Sequence, residues 1–514
     1  MPRMSENRTP ILVGCGDVTD IATPAEQGRS PFDLIAQAGR LALADTGAAA
    51  AVGKAIDTVA MIRLFADTSH RFANRLGTSR NPPRSVAARL GIEAGRYLYS
   101  WNGGNMPQYL VNQFAESIAR GEMRAALLAG GEALRTQHGV ERAGLPVSWQ
   151  EDPGGEPELI GDPRRGWNDH EDQHLLRAAI VFYPLFENAI RAARGHPIAQ
   201  HMQSIGRLMA RFSAVAAANP LATRRDGLSA AQLTRVDEQN RWIGFPYPRY
   251  LNANAFIDQA AALVITSVGA AREMGIPESK WVYLHGCADA HDHWYVSDRI
   301  DLHSSPAIRS ASRRALDMAG LRIGDVDFLD LYSCFASAIE TGCQELGLAE
   351  DDARGLTVTG GLPFFGGPGN NYVTHSIAEM MRRVRGRPGS FGLVTANGNY
   401  VTKHSFGVYS TTPPAGSWQR ESPALLQAEL NALPRARFTQ TPAGPATIET
   451  YTVMHGRNGP EYGVIFGRLD STGERFVANP PADRAVLQDL QDREGIGRPG
   501  TVTHRDGLNT FVPG

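Results

Sequence analysis

Apolar positions along this chain fall into two patterns. Short continuous runs at Ile11–Gly16, Asp57–Ile62, Ala125–Ala133 and Ala260–Thr266 read as strands covered on both faces, because a strand with one wet face would alternate instead. Between them the spacing becomes helical. Leu34, Ile35, Ala38, Leu41 and Ala42 follow Ser30-Pro31, a favoured helix start. Leu110, Val111, Phe114, Ile118 and Ala119 place a helix over Pro107–Gly121, leaving Gln108, Asn112, Gln113, Glu116 and Arg120 as its polar side. Strand, small-residue turn Tyr99–Gln108, helix and strand in that order predict a right-handed parallel crossover and a doubly wound first half.

The same element order returns further on. Trp281–Cys287 reads as a strand, Ser304–Ala319 as a helix, Val326–Leu331 as a strand and Ala336–Leu346 as a helix. The glycine-rich Gly360–Asn371 leads into a helix from about Val373, and Phe391–Gly398 pairs with Ser405–Ser410. Order repeats while sequence does not. Gln137–Tyr250, with no clear strand, is too long for one loop and is expected to be an inserted, mostly helical cap that shapes a pocket. After Thr412-Pro413-Pro414 short β-rich runs separated by Arg457-Asn458-Gly459 and Ser471-Thr472-Gly473 have the strand count of a small barrel such as an OB-fold.

Composition narrows the class. A chain of 514 residues is too long for one ordinary core. A net charge of -2, and C-terminal strands with few interleaved Arg, Lys and aromatic residues, give no footprint for nucleic acid or an anionic membrane. No apolar run has bilayer length and Met1 to Arg8 has no signal-peptide core, so a cytoplasmic protein is expected. Cys15, Cys287, Cys334 and Cys343 form no CxxC pair, which speaks against a disulfide framework or structural zinc. The cluster His285 to His293 holds several ligand types but no second cluster accompanies it, and no metal is expected.

Chemistry concentrates at the turn before Pro107. N–H groups at a helix start suit an oxyanion or an acyl carbonyl, yet the turn contains no nucleophile and reads equally well as packing. Cys334 is the best nucleophile by residue type, since a thiol at a helix start can have a lowered pKa. His375, and His404 with Lys403 beside it, could reach the same cleft.

Four stretches in order, Leu127–Glu132, Ile257–Ala262, Phe328–Phe335 and Gly360–Gly369, resemble the thiolase superfamily over roughly Arg8 to Thr412. The branch resembled contains sterol-carrier-protein-type thiolases and acetyl-CoA acetyltransferase-like proteins, and the extra C-terminal part resembles thiolase-like proteins of type 1. The resemblance implies an α/β thiolase fold of two similar βαβαβαββ halves in five layers (αβαβα). Residues 1–136 and 251–275 would form one half, 137–250 the inserted domain, 276–415 the other half and 416–514 an OB-like β-barrel.

It also implies where the site lies. The family's acylated cysteine falls on Gly103 or, shifted by one, Gly104; its oxyanion-hole motif on Tyr332-Ser333-Cys334-Phe335; its activating histidine on Gly367. Its acid/base cysteine falls on Ala396, or on Asn397 if the alignment slips by one. Asn102, Gly104, Asn105, Asn370, Asn371 and Gly398 are the expected ligand-binding positions. Replacing a nucleophile and its base removes catalysis by orders of magnitude, since they act as a unit. The expectation is a protein that binds coenzyme A or acyl-CoA as substrate or ligand, has no tightly bound cofactor, and lacks classical thiolase activity. An acyltransferase or aldol-type C–C lyase using Tyr332, Cys334 or His404 is the second reading, and a non-catalytic partner subunit the third. Nucleic acid and membrane are not expected partners, and the chain is expected as a monomer or homodimer.

Overall fold

The structure is a computed structural model that describes residues 7–68 and 73–514. The reading of Met1 to Arg8 falls mostly outside them. In the first half, strands β1 (Pro10–Thr19), β2 (Thr58–Met61), β3 (Arg96–Ser100), β4 (Ala125–Ala133) and β5 (Asp258–Ser267) lie in the spatial order β1-β5-β4-β2-β3. Here β2, β3 and β4 are parallel, while β5 runs antiparallel between β1 and β4. The half is therefore mixed rather than purely doubly wound. An apolar run reports burial on both faces and is blind to strand direction.

Helices α1 (Pro31–Asp45) and α2 (Met106–Arg120) belong to this half. The chain between β4 and β5 carries α3 (Ala179–Ala193) and α4 (Ile198–Ala218), as the loosened pattern predicts. It also contains strands the pattern did not disclose. Glu158–Ile160 extends the sheet edge beside β3, and Trp242–Gly244 pairs with the C-terminal sheet.

The second half comprises β6 (Val282–His291), α5 (Pro306–Ala319), β7 (Phe328–Asp330), α6 (Ala336–Leu346), α7 (Tyr372–Gly386), β8 (Phe391–Gly398) and β9 (Lys403–Ser410). Its strands run β6-β9-β8-β7, the order of the first half counted from its own first strand. The halves join where Ile11 pairs with Tyr283 and Leu12 with Val282. Packing repeats as well as order. A Cβ at Gly16 would overlap the Ala38 carbonyl of α1, and one at Gly286 the Ala315 carbonyl of α5, so in each half the outer helix rests on the backbone of the first strand.

Helices α2 and α7 touch strands of both halves and each other. Pro107 in its first turn and a left-handed Gly121 at its end delimit α2. Burying Leu110, Val111 and Phe114 stabilises it by about 1.5–3 kcal/mol per side chain. Two residues of its polar side, Gln108 and Asn112, are buried. Gln108 accepts from Tyr409 Oη at 2.7 Å and donates to Asn112 Oδ1 at 2.8 Å, and Asn112 donates to Asp289 Oδ1 at 3.0 Å. The helix lies against strands of both halves, and these two polar residues dock it to the second half.

After Ser422 the chain forms a separate antiparallel sheet of β10 (Gly444–Gly456), β11 (Gly459–Leu469), β12 (Arg475–Ala478), β13 (Pro499–Arg505) and β14 (Leu508–Pro513), in the order β12-β11-β10-β13-β14. Asn479, just past β12, exchanges two 3.0 Å backbone hydrogen bonds with Asn509 and Phe511 of β14. This sheet packs on α3, where Asn188 donates to the Tyr451 carbonyl at 2.9 Å and Thr450 to the Leu185 carbonyl at 2.7 Å. No helix among the described residues is long and apolar enough to cross a membrane.

Candidate active site

Strand β3 ends at Ser100, and the turn before α2 is where the halves meet. Gly103 has φ +147°, and its N–H donates to Asn370 Oδ1 at 3.0 Å, while Asn370 Nδ2 donates to the Arg63 carbonyl at 2.9 Å. The donor expected to be free for a ligand is thus held by the glycine-rich loop before α7. The β8–β9 hairpin forms the opposite wall, with Asn397 facing His404 and Gly398 facing Lys403 across the ladder. Gly398 leaves space that Asn105 Oδ1 fills, because a Cβ there would overlap it.

Two side chains occupy the space beside the paired glycines. A Cβ built on Gly103 would lie 2.7 Å from Lys403 Nζ and 2.5 Å from Asn105 Oδ1. One built on Gly104 would overlap Tyr332 Oη and approach the Asn397 carbonyl at 2.7 Å. Lys403 is buried and donates to the Asn102 carbonyl, and its Nζ is 5.8 Å from the Trp294 ring centroid. Burial pushes its ammonium down to about 8, opposed by the charge of Asp162 and reinforced by that of Arg164. Tyr332 packs edge-on against Tyr372, and burial holds its phenol well above its ordinary pKa, with Cys334 and Tyr372 adding to the effect. It remains a proton donor.

Cys334 does not gain a helix-start thiolate. Burial pushes its thiol up to about 12, against the hydrogen bond from Tyr183 and the backbone N–H groups of Phe335 and Cys334. The desolvation of a wholly enclosed sulfur exceeds what one helix end returns. Tyr183, on α3, stacks on Phe335 with ring centroids 4.5 Å apart and accepts from Asn397 Nδ2 at 3.0 Å. His404 Nε2 lies 3.5 Å from Asp292 Oδ2. Burial raises the Asp292 carboxyl, but the His404 ring and the Arg299 guanidinium outweigh that and leave it below the ordinary carboxylate range. Tyr332, Asn397 and His404 line a small cavity of about 20 Å³, space for a water-sized group.

Other expected site positions point elsewhere. Gly367 faces Ala253, Asn254 and Leu362, and a Cβ there would make ordinary contacts of 3.5–3.6 Å. Asn371 Oδ1 accepts from Thr374 at 2.6 Å and fills the space beside Gly130 of β4. His375 is enclosed, with Nδ1 2.7 Å from Asp17 Oδ1, so it serves the core. His285, His291 and His293 each turn a ring nitrogen to a backbone carbonyl, of Thr412, of Asp292, and of Leu433 and Pro434 respectively, and form no common centre.

Among the described residues the metal-type groups that do converge are Glu187, His201 and Glu340, residues too far apart in sequence for spacing to reveal them. Burial raises the pKa of both carboxyls, and for Glu340 the neighbouring Glu187 adds to it. Arg194 donates to Glu340 at 2.8 Å and Tyr247 to Glu187. A retained proton and one guanidinium satisfy the charge there. Sequence reasoning also missed the roles of Tyr183 and Asp292 and gave Lys403 only a place beside His404.

The duplicated strand order, the two inner helices and the glycine turns at their N-termini define a protein of the thiolase superfamily. A monomeric SCP2-thiolase like protein type 1 from Mycobacterium smegmatis is 38% identical, covers 99% of this chain and 100% of its own, and superposes with a TM-score of 0.84. The family model for the additional C-terminal domain of thiolase-like protein type 1 matches residues 425–507, and that for the thiolase C-terminal domain matches 288–411. The chain belongs to the thiolase-like protein type 1 family. Acetyl-CoA acetyltransferase from Syntrophomonas wolfei shares the fold at 14% identity and a TM-score of 0.55, over 79% of this chain and 99% of that one. The 3-ketoacyl-CoA thiolase of Erwinia tasmaniensis is 28% identical over 159 residues, 28% of this chain and 35% of the thiolase, so the match spans about a third of that protein's length.

Proposed function

We propose that this protein binds acyl-CoA or a similar pantetheine thioester at the Gly103–Gly104 turn, with no tightly bound cofactor, and carries out no cysteine-dependent acyl transfer. In this reading Gly103 stands where the superfamily's nucleophile would be, Tyr332 in the oxyanion-hole motif, Gly367 at the histidine position and Asn397 at the acid/base position. The observation that carries it is the occupancy of the turn. Lys403 Nζ and Tyr332 Oη fill the volume of any side chain at Gly103 and Gly104, and the nearby thiol of Cys334 is held protonated by burial.

Asn102, Gly104, Asn105, Asn370 and Gly398 supply the amides and the close backbone approach that a carbonyl ligand needs, with Asn371 behind them. The C-terminal sheet, its end strands joined through Asn479, supports an OB-like module over 416–514 beside halves at 1–136 with 251–275 and at 276–415, and an insertion at 137–250. A monomer accords with the relative from Mycobacterium smegmatis.

A second reading, chemistry by non-standard residues, is favoured by the phenol of Tyr332 directed at Gly104 and by His404 beside Asp292. Calorimetric titration with coenzyme A and acetoacetyl-CoA tests the first reading. Saturable binding that weakens in Asn105→Leu is expected, and absence of heat with either compound would contradict it.

A further inference from the structure

Lys403 is an unusual residue in this chain. Of 51 basic residues only Lys54, Lys280 and Lys403 are lysines. Lys54 is exposed, and Lys280 forms an ion pair with Asp45 at 2.8 Å. Lys403 is enclosed and, among the described residues, has no carboxylate within ion-pair distance and only the Asn102 carbonyl as a hydrogen-bond acceptor. Where arginine serves nearly every other cationic role, a buried position that keeps an amine selects for what guanidinium cannot do: give up its proton and act as a nucleophile.

Its surroundings fit that use. The nitrogen and the unpartnered, buried Asn105 Oδ1 both lie within 3 Å of the same point beside Gly103. The Trp294 ring lies 5.8 Å from the amine on one side, and Arg164, paired with Asp162, stacks 3.7 Å from the same ring. Asp162 and Arg164 are charged groups acting on the amine, with opposite signs.

We propose that Lys403 is a carbonyl-condensing amine that forms an imine with the ketone or aldehyde carbon of a ligand placed against the Gly103–Gly104 turn. The neutral amine's lone pair forms the C–N bond as the carbonyl π bond breaks, one proton passes from nitrogen to that oxygen to give a carbinolamine, and a second proton taken from solvent lets the oxygen leave as water while the nitrogen lone pair forms the C=N bond. The resulting iminium withdraws electrons from the adjacent carbon and makes its C–H acidic. Asn105 Oδ1 accepts the N–H of the adduct. The ligand class is a carbonyl compound, and with the thioester reading above, on which this narrower form rests, it is a β-ketoacyl thioester.

Reductive trapping tests this on the full chain. The protein is incubated with acetaldehyde, or separately with acetoacetyl-CoA, borohydride is added to deliver hydride to the iminium carbon, and modified peptides are mapped. Preferential labelling of Lys403 over Lys54 by acetaldehyde, with half-maximal rate near pH 8 and loss of that label in Lys403→Met, is the expected result. Labelling by acetoacetyl-CoA at the same lysine supports the narrower form. Labelling by acetaldehyde alone overturns the narrower form and keeps the amine's role. No label at Lys403 in the wild-type protein, or label no faster there than at Lys54, overturns the proposal even if calorimetry has shown coenzyme A binding.

Discussion

At Lys403 the chain buries an ammonium whose folded-state pKa, about 8, lies below its ordinary 10.5. The unfolded chain holds that proton up to the higher value, so between about pH 8 and 10.5 unfolding takes up a proton and stability rises with pH. The contribution is complete above 10.5 and is lost as pH falls through 8, with a slope of at most about 1.4 kcal/mol per pH unit. Lys403→Met fills similar volume without the charge. Urea denaturation at pH 7 is expected to show it more stable than wild type, and the rise between pH 8 and 10.5 is expected to disappear. A residue that destabilises its own fold is retained for what it does. Its importance was not legible in the sequence, because Asn102 lies some 300 positions away and Asp162 and Arg164 come from the insertion. Cys334 misled for a related reason: residue type and helix position are visible in a sequence, whereas complete enclosure of the sulfur is not.

The elements that carry the site are a strand–turn–helix from one half and a hairpin from the other, and their glycines differ in what they permit. Gly398→Ala would drive a methyl into Asn105 Oδ1 and against Lys403, within a hairpin that cannot shift without moving β9. A loss of about 1–3 kcal/mol is expected from this overpacking. Gly367→Ala meets only ordinary contacts and is expected to stay within about 0.5 kcal/mol of wild type. Thermal unfolding of the two variants side by side checks the contrast. The turn at Tyr99–Gln108 was legible because glycines punctuate it and Pro107 starts a helix. The polar side of α2 was not, since a helical wheel cannot distinguish solvent from a buried Tyr409 and Asp289.

At the scale of the whole molecule, one buried side chain ties the C-terminal sheet to the second half. Arg475 of β12 is fully buried, pairs with Glu449 at 2.5 and 2.8 Å, and donates to the carbonyls of Arg299 and Ile300, the latter at 3.0 Å. Arg299 in turn donates to Thr402 Oγ1 at 2.7 Å, next to Lys403. Arg475→Ala leaves two carbonyls without their partner and Glu449 with Arg468 alone, and a loss of about 2–4 kcal/mol is expected. Limited proteolysis should then cut after Ser422 sooner than in wild type; an unchanged digestion pattern would mean that the sheet is held by its packing on α3 instead. The duplicated halves were legible as an order of elements, and the β-rich C-terminal part as hairpin signals. How the two are coupled was not, because it rests on partners hundreds of positions apart, such as Asn188 with Tyr451 and Arg475 with Arg299.

The proposed site is a thioester cleft without a reactive thiol. The most direct measurement is the intact mass of the protein after incubation with acetoacetyl-CoA and coenzyme A, together with the rate at which acetoacetyl-CoA is consumed. The expected result is no acetyl group on any cysteine and no thiolysis above the uncatalysed rate. Rapid thiolysis, or an acetyl group recovered on Cys334, would contradict it.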